Sequence, residues 1–406
     1  MFPNIEIVTR KETMILFKDG DRPRSKRYPT KTEKLFYDPT LKIAKDNLVK
    51  LKKHEAIIVI SQEYTFSLLK LFNYLRAKSI KKVYFFIDDV FRVKHPDVPG
   101  VLRSYIIEKD LKNVTIPEIE IILKIIKGLN LEYEIFHCEY NPIQIQKKYK
   151  LKNIKYFDLF LNNYTYQSIK KGESTLDFNN FINYKLACIN YREELHRHLS
   201  VAMLYDYRDD MQLSLIEKLP RDYVLYNKEI PFENFSIEMQ NRLKQNLGLI
   251  ENNKIVLKDE DHISNLNYHQ VNKLKNSKSL LNTMQECFAN VVTETRYCSL
   301  MPYFSEKTIK TIAVHRPFVL VAQPGTLELI KSLGFKTFDK WWDEGYDNEK
   351  DHNKRLELVY NTCREILSKD KETLSGMLND MQEVLEHNYN NLFNLTDNMI
   401  KLSISM

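Results

Sequence analysis

Glycine is scarce in this chain, with nine residues among 406. Few loops can therefore cradle a phosphate with backbone amides alone, and side chains must supply much of any anion binding. No G-x-G-x-x-G follows a first strand, which excludes the usual dinucleotide fingerprint, and no Walker A sequence is present. G-x-S-x-G and H-E-x-x-H are also absent, removing the commonest hydrolase and metalloprotease signatures. No stretch approaches 18 consecutive apolar residues, so no membrane-spanning helix is expected. The segment Met1 to Arg10 lacks a basic region followed by an apolar one, so it does not read as a secretory signal. The five cysteines (Cys138, Cys188, Cys287, Cys298 and Cys363) are odd in number and widely spaced, with no C-x-x-C pair. They read as buried thiols of a reducing compartment, which predicts a cytoplasmic protein. No acidic or Cys/His cluster has a metal-ligand spacing, so neither a metal nor a resident cofactor is expected.

What is present suits a globular protein of two domains. The length exceeds one ordinary domain, and 43% hydrophobic with 28% charged residues is enough to bury cores. Tyr (24) and Phe (21) are plentiful. The formal charge of +7 is uneven: residues 1–55 hold fourteen Lys/Arg against eight Asp/Glu, a net of +6. The densest part is Arg22, Arg24, Lys26, Arg27 and Lys31, around Pro23 and Pro29. Such a segment grips phosphates, or is simply a solvated basic loop.

Apolar runs of strand length recur in the first half: Ala56–Ser61, Lys82–Ile87, Leu131–His137 and Tyr156–Leu161. They lack polar alternation, as parallel strands covered on both faces do. Helical periodicity separates them at Phe66–Ala77 and at Ile116–Leu129, which has Pro117 in its first turn. A second series follows: strands at Leu186–Asn190, Ala289–Glu294 and Pro317–Ala322, and helices at Glu193–Tyr205, Ser279–Phe288, Ser305–Ala313 and Thr326–Leu333. Residues 217–276 read as irregular, and long helices close the chain from Lys354 onward. The fold class predicted is α/β: two Rossmann-like lobes facing a cleft, with C-terminal helices closing the second. The boundary is expected near Gly172–Ser174, giving lobes of 1–180 and 181–406.

The informative stretch runs from Asn290 to Arg355. Glu294 ends a strand, where ligands of such sheets sit. Ser305 is placed to cap a helix, and Lys307 falls in that helix's first turn. A lysine there is mildly opposed by the helix dipole, so its position makes sense if an anion such as a diphosphate docks at the same place. Glu306 is suited to accept hydrogen bonds from ribose hydroxyls; the plainer alternative is capping alone.

These residues form five ordered blocks: Val292–Thr295 (V-V-T-E-T with Val291), Ser305–Lys307 (S-E-K), Pro317–Val321 (P-F-V-L-V), Leu333–Phe338 (L-G-F-K-T-F) and Asp343–Asp347 (D-E-G-Y-D). The series resembles a glycosyltransferase family of large DNA viruses, phages and bacteria that is related to the C-terminal domain of α-1,3-fucosyltransferases. The resemblance implies a GT-B fold and a nucleotide-diphosphate-sugar donor. In that pattern the glutamate and lysine of the E-K pair contact the donor's ribose and diphosphate, which carries over to Glu306 and Lys307. A second block agrees: Asn190, Tyr191 and Arg192, then His196 and Arg197, resemble an N-R strand end followed by a helix with H-R. Glu194 stands where an arginine is expected, and Tyr191 separates Asn190 from Arg192. Which of Arg192, His196 and Arg197 grips phosphate is therefore left open. The resemblance covers 185–206 and 285–370; the first lobe aligns with nothing in it.

That first lobe would bind the acceptor. Sugar transfer with inversion needs a base for the acceptor hydroxyl, and Glu63, Asp88 and Asp89 are the candidates because each follows a strand end. Each also suits a helix cap or turn. Asp343, Glu344 and Asp347 are placed to meet sugar hydroxyls, or to serve the local fold. The acceptor expected is either a glycan or protein, or hydroxylated bases of viral or phage DNA, which the basic segment 10–53 favours. A chain of another class, a non-catalytic nucleic-acid-binding protein using the same segment, is the alternative.

Overall fold

In the computed structural model the described residues are 4–9, 13–16, 48–49, 51–61, 68–87, 92–93, 102–103, 115–138, 140, 143–158, 161–162, 165, 169, 175–190, 195–215, 236–252, 278–297 and 301–405. They form two α/β units. The first draws on 1–167, 299–301 and 395–406, and the second on 168–298 and 302–394. The chain thus divides near 167 rather than 180, and its final helix groups with the first unit rather than closing the second.

The strands in chain order are β1 (Asn4–Thr9), β2 (Thr13–Leu16), β3 (Glu55–Ser61), β4 (Lys82–Ile87), β5 (Arg92–Val93), β6 (Leu102–Arg103), β7 (Glu132–His137), β8 (Ile154–Tyr156), β9 (Tyr184–Asn190), β10 (Met211–Leu215), β11 (Cys287–Thr293) and β12 (Phe318–Val321). The first unit's main sheet runs β2-β1-β3-β4-β7-β8. Its four strands β3, β4, β7 and β8 are parallel, while β1 pairs antiparallel with β2 and β3. The Val/Ile/Phe runs make these strands because both faces are buried. Ile58, Ile60, Val83, Phe85, Ile87 and Ile135 pack with Leu71 and Leu75 of the helix Leu68–Ala77 and with Ile119, Ile122 and Ile125 of the helix Pro117–Leu129. On alternate positions Phe86 stacks on Phe136 at 4.5 Å and meets Phe157 edge-on.

The sequence expectation of a strand over Tyr156–Leu161 fails after Tyr156. Asp158 Oδ1 accepts a hydrogen bond from the Leu161 amide at 2.8 Å, and the chain turns into a helical conformation there. The helix Leu395–Ser405 packs on β8, with the Ser403 hydroxyl donating to the Tyr156 carbonyl.

The second unit's sheet is wholly parallel, in the order β10-β9-β11-β12. From β9 the chain moves to β10 on one side and then returns to β11 on the other. The connections that leave the carboxyl ends of β9 and β11 therefore diverge, which is a topological switch point. The helix Leu195–Leu204 is buried along its whole length between this sheet and the helix Ile237–Asn252. The helix Glu306–Ala313 packs on β11 and on the helix Gln382–Leu392, and the helix His352–Ser368 packs on β9 and β12. Strand β10 and the helix Ile237–Asn252 were not anticipated from sequence. The helix expected over Ser279–Phe288 spans Lys278–Gln285, with Cys287 and Phe288 opening β11 instead.

Candidate functional site

The amino end of the helix Glu306–Ala313 lies just beyond β11. Ser305 is extended (φ −127°), and its hydroxyl accepts from the Lys307 amide at 3.4 Å, making it the N-cap. The Lys307 ammonium is held by three oxygens: Thr295 Oγ1 at 3.0 Å, Ser305 Oγ at 3.1 Å and Glu306 Oε1 at 3.3 Å. The Lys307 and Glu306 side chains are 28% and 26% exposed, so both are partly open to solvent. Burial works to raise the Glu306 carboxyl, but Lys307, Lys310 and its own backbone N–H outweigh it and hold it at about 2. Glu306 is therefore an ionised acceptor at neutral pH.

Glu294 lies directly behind and is fully buried. Its Oε1 accepts from Thr308 at 2.6 Å and its Oε2 from the Thr295 amide at 3.3 Å. Its backbone carbonyl receives His196 Nε2 at 2.9 Å and an Arg197 Nη2–H at 3.3 Å. Burial, then the Arg197 charge, push the His196 imidazole well below its ordinary value, with Lys307 and His198 acting the same way. The neutral ring thus donates from Nε2, which fixes its tautomer. Beside it the Asn190 Oδ1 accepts from Thr293, while Ser214 bonds both backbone groups of Asn190. The three strand ends are joined by these polar contacts.

Of the sequence candidates, the fold gathers Glu294, Ser305, Glu306, Lys307, His196 and Arg197 around the carboxyl ends of β9 and β11. His196, Arg197 and Glu294 are buried behind this surface, while Glu306 and Lys307 reach solvent. Arg192, Glu63, Asp88 and Asp89 lie outside the described residues, as does most of the basic segment 10–53. Asp347 is occupied elsewhere: its oxygens accept from the Leu327 and Glu328 amides at 3.0 and 3.3 Å, at the start of the helix Thr326–Ser332. Glu344 accepts from the Phe338 amide, and Asp343 from the Gly345 amide. Asp347 thus caps another helix, Glu344 braces the Phe338 backbone, and Asp343 serves a local turn.

Sequence reasoning assigned nothing to Thr308, Tyr297 or Arg355. Thr308 follows the S-E-K block by one residue, and Tyr297 follows the V-x-E-T block by two, so proximity to a block was the available signal. Arg355 sits on a distant helix and had none. Among the described residues, no group of three or more His, Cys, Asp or Glu is placed to hold a metal, and no helix is long and apolar enough to cross a membrane. No protein-family profile, curated protein or solved structure matches the chain.

Proposed function

We propose that the chain is a glycosyltransferase of GT-B type that takes a nucleotide-diphosphate sugar in its second unit. The supporting observation is Lys307. A lysine partly open to solvent stands at a helix amino end, its ammonium steadied by Thr295, Ser305 and Glu306, at the switch point of a parallel sheet. Parallel α/β sheets take their ligands at that point, and a helix amino end with a lysine is a site for diphosphate.

In the reaction the acceptor oxygen attacks the anomeric carbon and the bond from that carbon to the diphosphate oxygen breaks. The nucleoside diphosphate leaves with the electron pair, and the acceptor proton passes to a base of the first unit, for which Glu63, Asp88 and Asp89 are the candidates. Lys307 and the helix amino end offset the leaving-group charge, with Arg192 as the candidate for the second phosphate, while His196 and Arg197 hold the strand end behind it through the Glu294 carbonyl. Glu306 accepts from the ribose hydroxyls. The acceptor is a glycan or protein, or hydroxylated bases of viral or phage DNA, and the protein works in the cytoplasm, that of the host if the source is viral.

The test is the melting temperature with UDP-, GDP- and ADP-sugars, a CMP-sugar as monophosphate comparison, and a Lys307→Ala variant, since a ligand of the native state stabilises it by mass action. One diphosphate sugar is expected to raise the melting temperature of the wild type and not of the variant. No shift with any donor, together with salt-sensitive binding of plain duplex DNA, would replace this proposal with a nucleic-acid-binding role for the basic segment.

A further inference from the structure

Arg355 is 1% exposed and lies on the helix His352–Ser368, remote in sequence from the residues around Lys307. Its guanidinium donates through Nε to the Ala322 carbonyl at 3.0 Å, through Nη1 to the Glu349 carbonyl at 2.9 Å and through Nη2 to the Tyr297 carbonyl at 2.6 Å. Ala322 follows β12 and Tyr297 follows β11, so one planar fork ties together the connections that leave two carboxyl ends. A guanidinium can do this because its donors point in fixed directions; an ammonium cannot reach three carbonyls so arranged.

The tie continues toward the site. The Arg355 guanidinium lies 4.4 Å from the centroid of the Tyr297 ring, and the Tyr297 hydroxyl donates to the His352 carbonyl. The same ring stacks on His196, with centroids 5.5 Å apart and planes 15° apart. His196 in turn holds the carbonyl of Glu294, and the next residue, Thr295, supplies an oxygen to the Lys307 ammonium.

We propose that Arg355 is a positioning residue for the anion-binding end of this site, acting through Tyr297 and His196 on the strand end that bears Glu294 and Thr295. It touches no ligand. Its part is to keep the Lys307 ammonium and the neighbouring backbone in one arrangement before an anion arrives, so that binding does not have to order them. The proposal rests on the diphosphate role given to Lys307, and its test separates the two.

The experiment uses Arg355→Lys, which keeps a cation and loses the fork. Arg316→Lys is the matched control: Arg316 is equally buried and ties Cys287, Asn179 and Phe181 at the amino end of β11. Tyr297→Leu, which removes the ring that links Arg355 to His196, serves if Arg355→Lys does not fold, and is expected to move the same two site quantities in the same direction. Three quantities are read: the melting temperature, the imidazole titration of His196 by nitrogen-detected NMR, and the affinity for inorganic pyrophosphate. Arg355→Lys is expected to weaken pyrophosphate about five- to twentyfold, the effect of a residue that acts through contacts. It is also expected to raise the His196 titration toward its ordinary value as the stack on Tyr297 loosens. Arg316→Lys lowers the melting temperature and leaves both site quantities unchanged. If Arg355→Lys lowers the melting temperature but moves neither site quantity, or if the control moves them equally, Arg355 is merely structural. A wild-type protein that binds no pyrophosphate removes the diphosphate role of Lys307, and the His196 titration still decides whether Arg355 positions the strand end.

Discussion

Thr308 donates its hydroxyl hydrogen to the fully buried carboxylate of Glu294 at 2.6 Å, linking the third residue of one helix to the residue that follows β11. The two lie 14 positions apart in sequence, and the contact fixes how the helix Glu306–Ala313 leaves the sheet. Thr308→Val keeps the shape and orphans one carboxylate oxygen. It is expected to cost about 1–3 kcal/mol in urea unfolding, whereas Thr308→Ser is expected to stay within about 1 kcal/mol. A Thr308→Val loss no larger than about 0.5 kcal/mol, or a Thr308→Ser loss exceeding that of Thr308→Val, would show that the methyl group rather than the hydroxyl matters.

Acid should weaken the second unit. Burial and then Arg355 hold His352 at about 4, and burial and then Arg197 hold His196 lower than its ordinary value. A histidine lowered in the folded state protonates first in the unfolded chain. Its contribution is present above pH 6.5 and is lost as pH falls from 6.5 toward about 4. For His352 the loss is on the order of 2 kcal/mol. Urea midpoints at pH 7 and pH 4.5 measure it, and His352→Asn should shrink the difference; a variant with the same acid sensitivity as wild type would refute the assignment.

Ser305→Ala removes the cap and one of the three oxygens around Lys307. The expected cost is about 1 kcal/mol of stability. If Lys307 takes a diphosphate, the ligand-induced rise in melting temperature should also shrink, because the freed ammonium must be ordered on binding. Asp347→Asn is the counterpart: it leaves one of the Leu327 and Glu328 amides without an acceptor, weakens the start of the helix Thr326–Ser332 by about 1 kcal/mol, and should leave that rise intact. A smaller rise in Asp347→Asn would reinstate the acidic segment as a ligand contact.

The first unit's core predicts a separate outcome. Phe86→Ala removes the stack on Phe136 and the edge contact with Phe157. It is expected to cost about 3–5 kcal/mol. Pyrophosphate binding by the second unit, measured where the protein remains folded, should not change.

Most of the parallel strands were legible because strands covered on both faces are written as unbroken apolar runs, as in Lys82–Ile87 and Pro317–Ala322; the antiparallel β1 and β2 of the first sheet were not. Strand β10, Met211–Leu215, was not, since Gln212 and Ser214 break its run although both are buried. Tyr156–Leu161 read as a longer strand because apolarity cannot reveal that Asp158 will cap a turn. At the site, Ser305 was legible as a helix cap from its place before Glu306 and Lys307. Arg355 was not, because what gives it a role is the convergence of carbonyls from residues 297, 322 and 349, and no local pattern encodes convergence.

The helix Leu395–Ser405 belongs with the first unit although more than two hundred residues of the second unit precede it. A ribosome delivers the chain from one end, and domains ordinarily complete themselves in the order in which they emerge. Here the nascent first unit must wait, with the flank of β8 uncovered, while the whole of the second is made. The unit that starts first is finished last, so ribosome stalling between residues 167 and 394 would leave exposed the apolar surface that chaperones recognise.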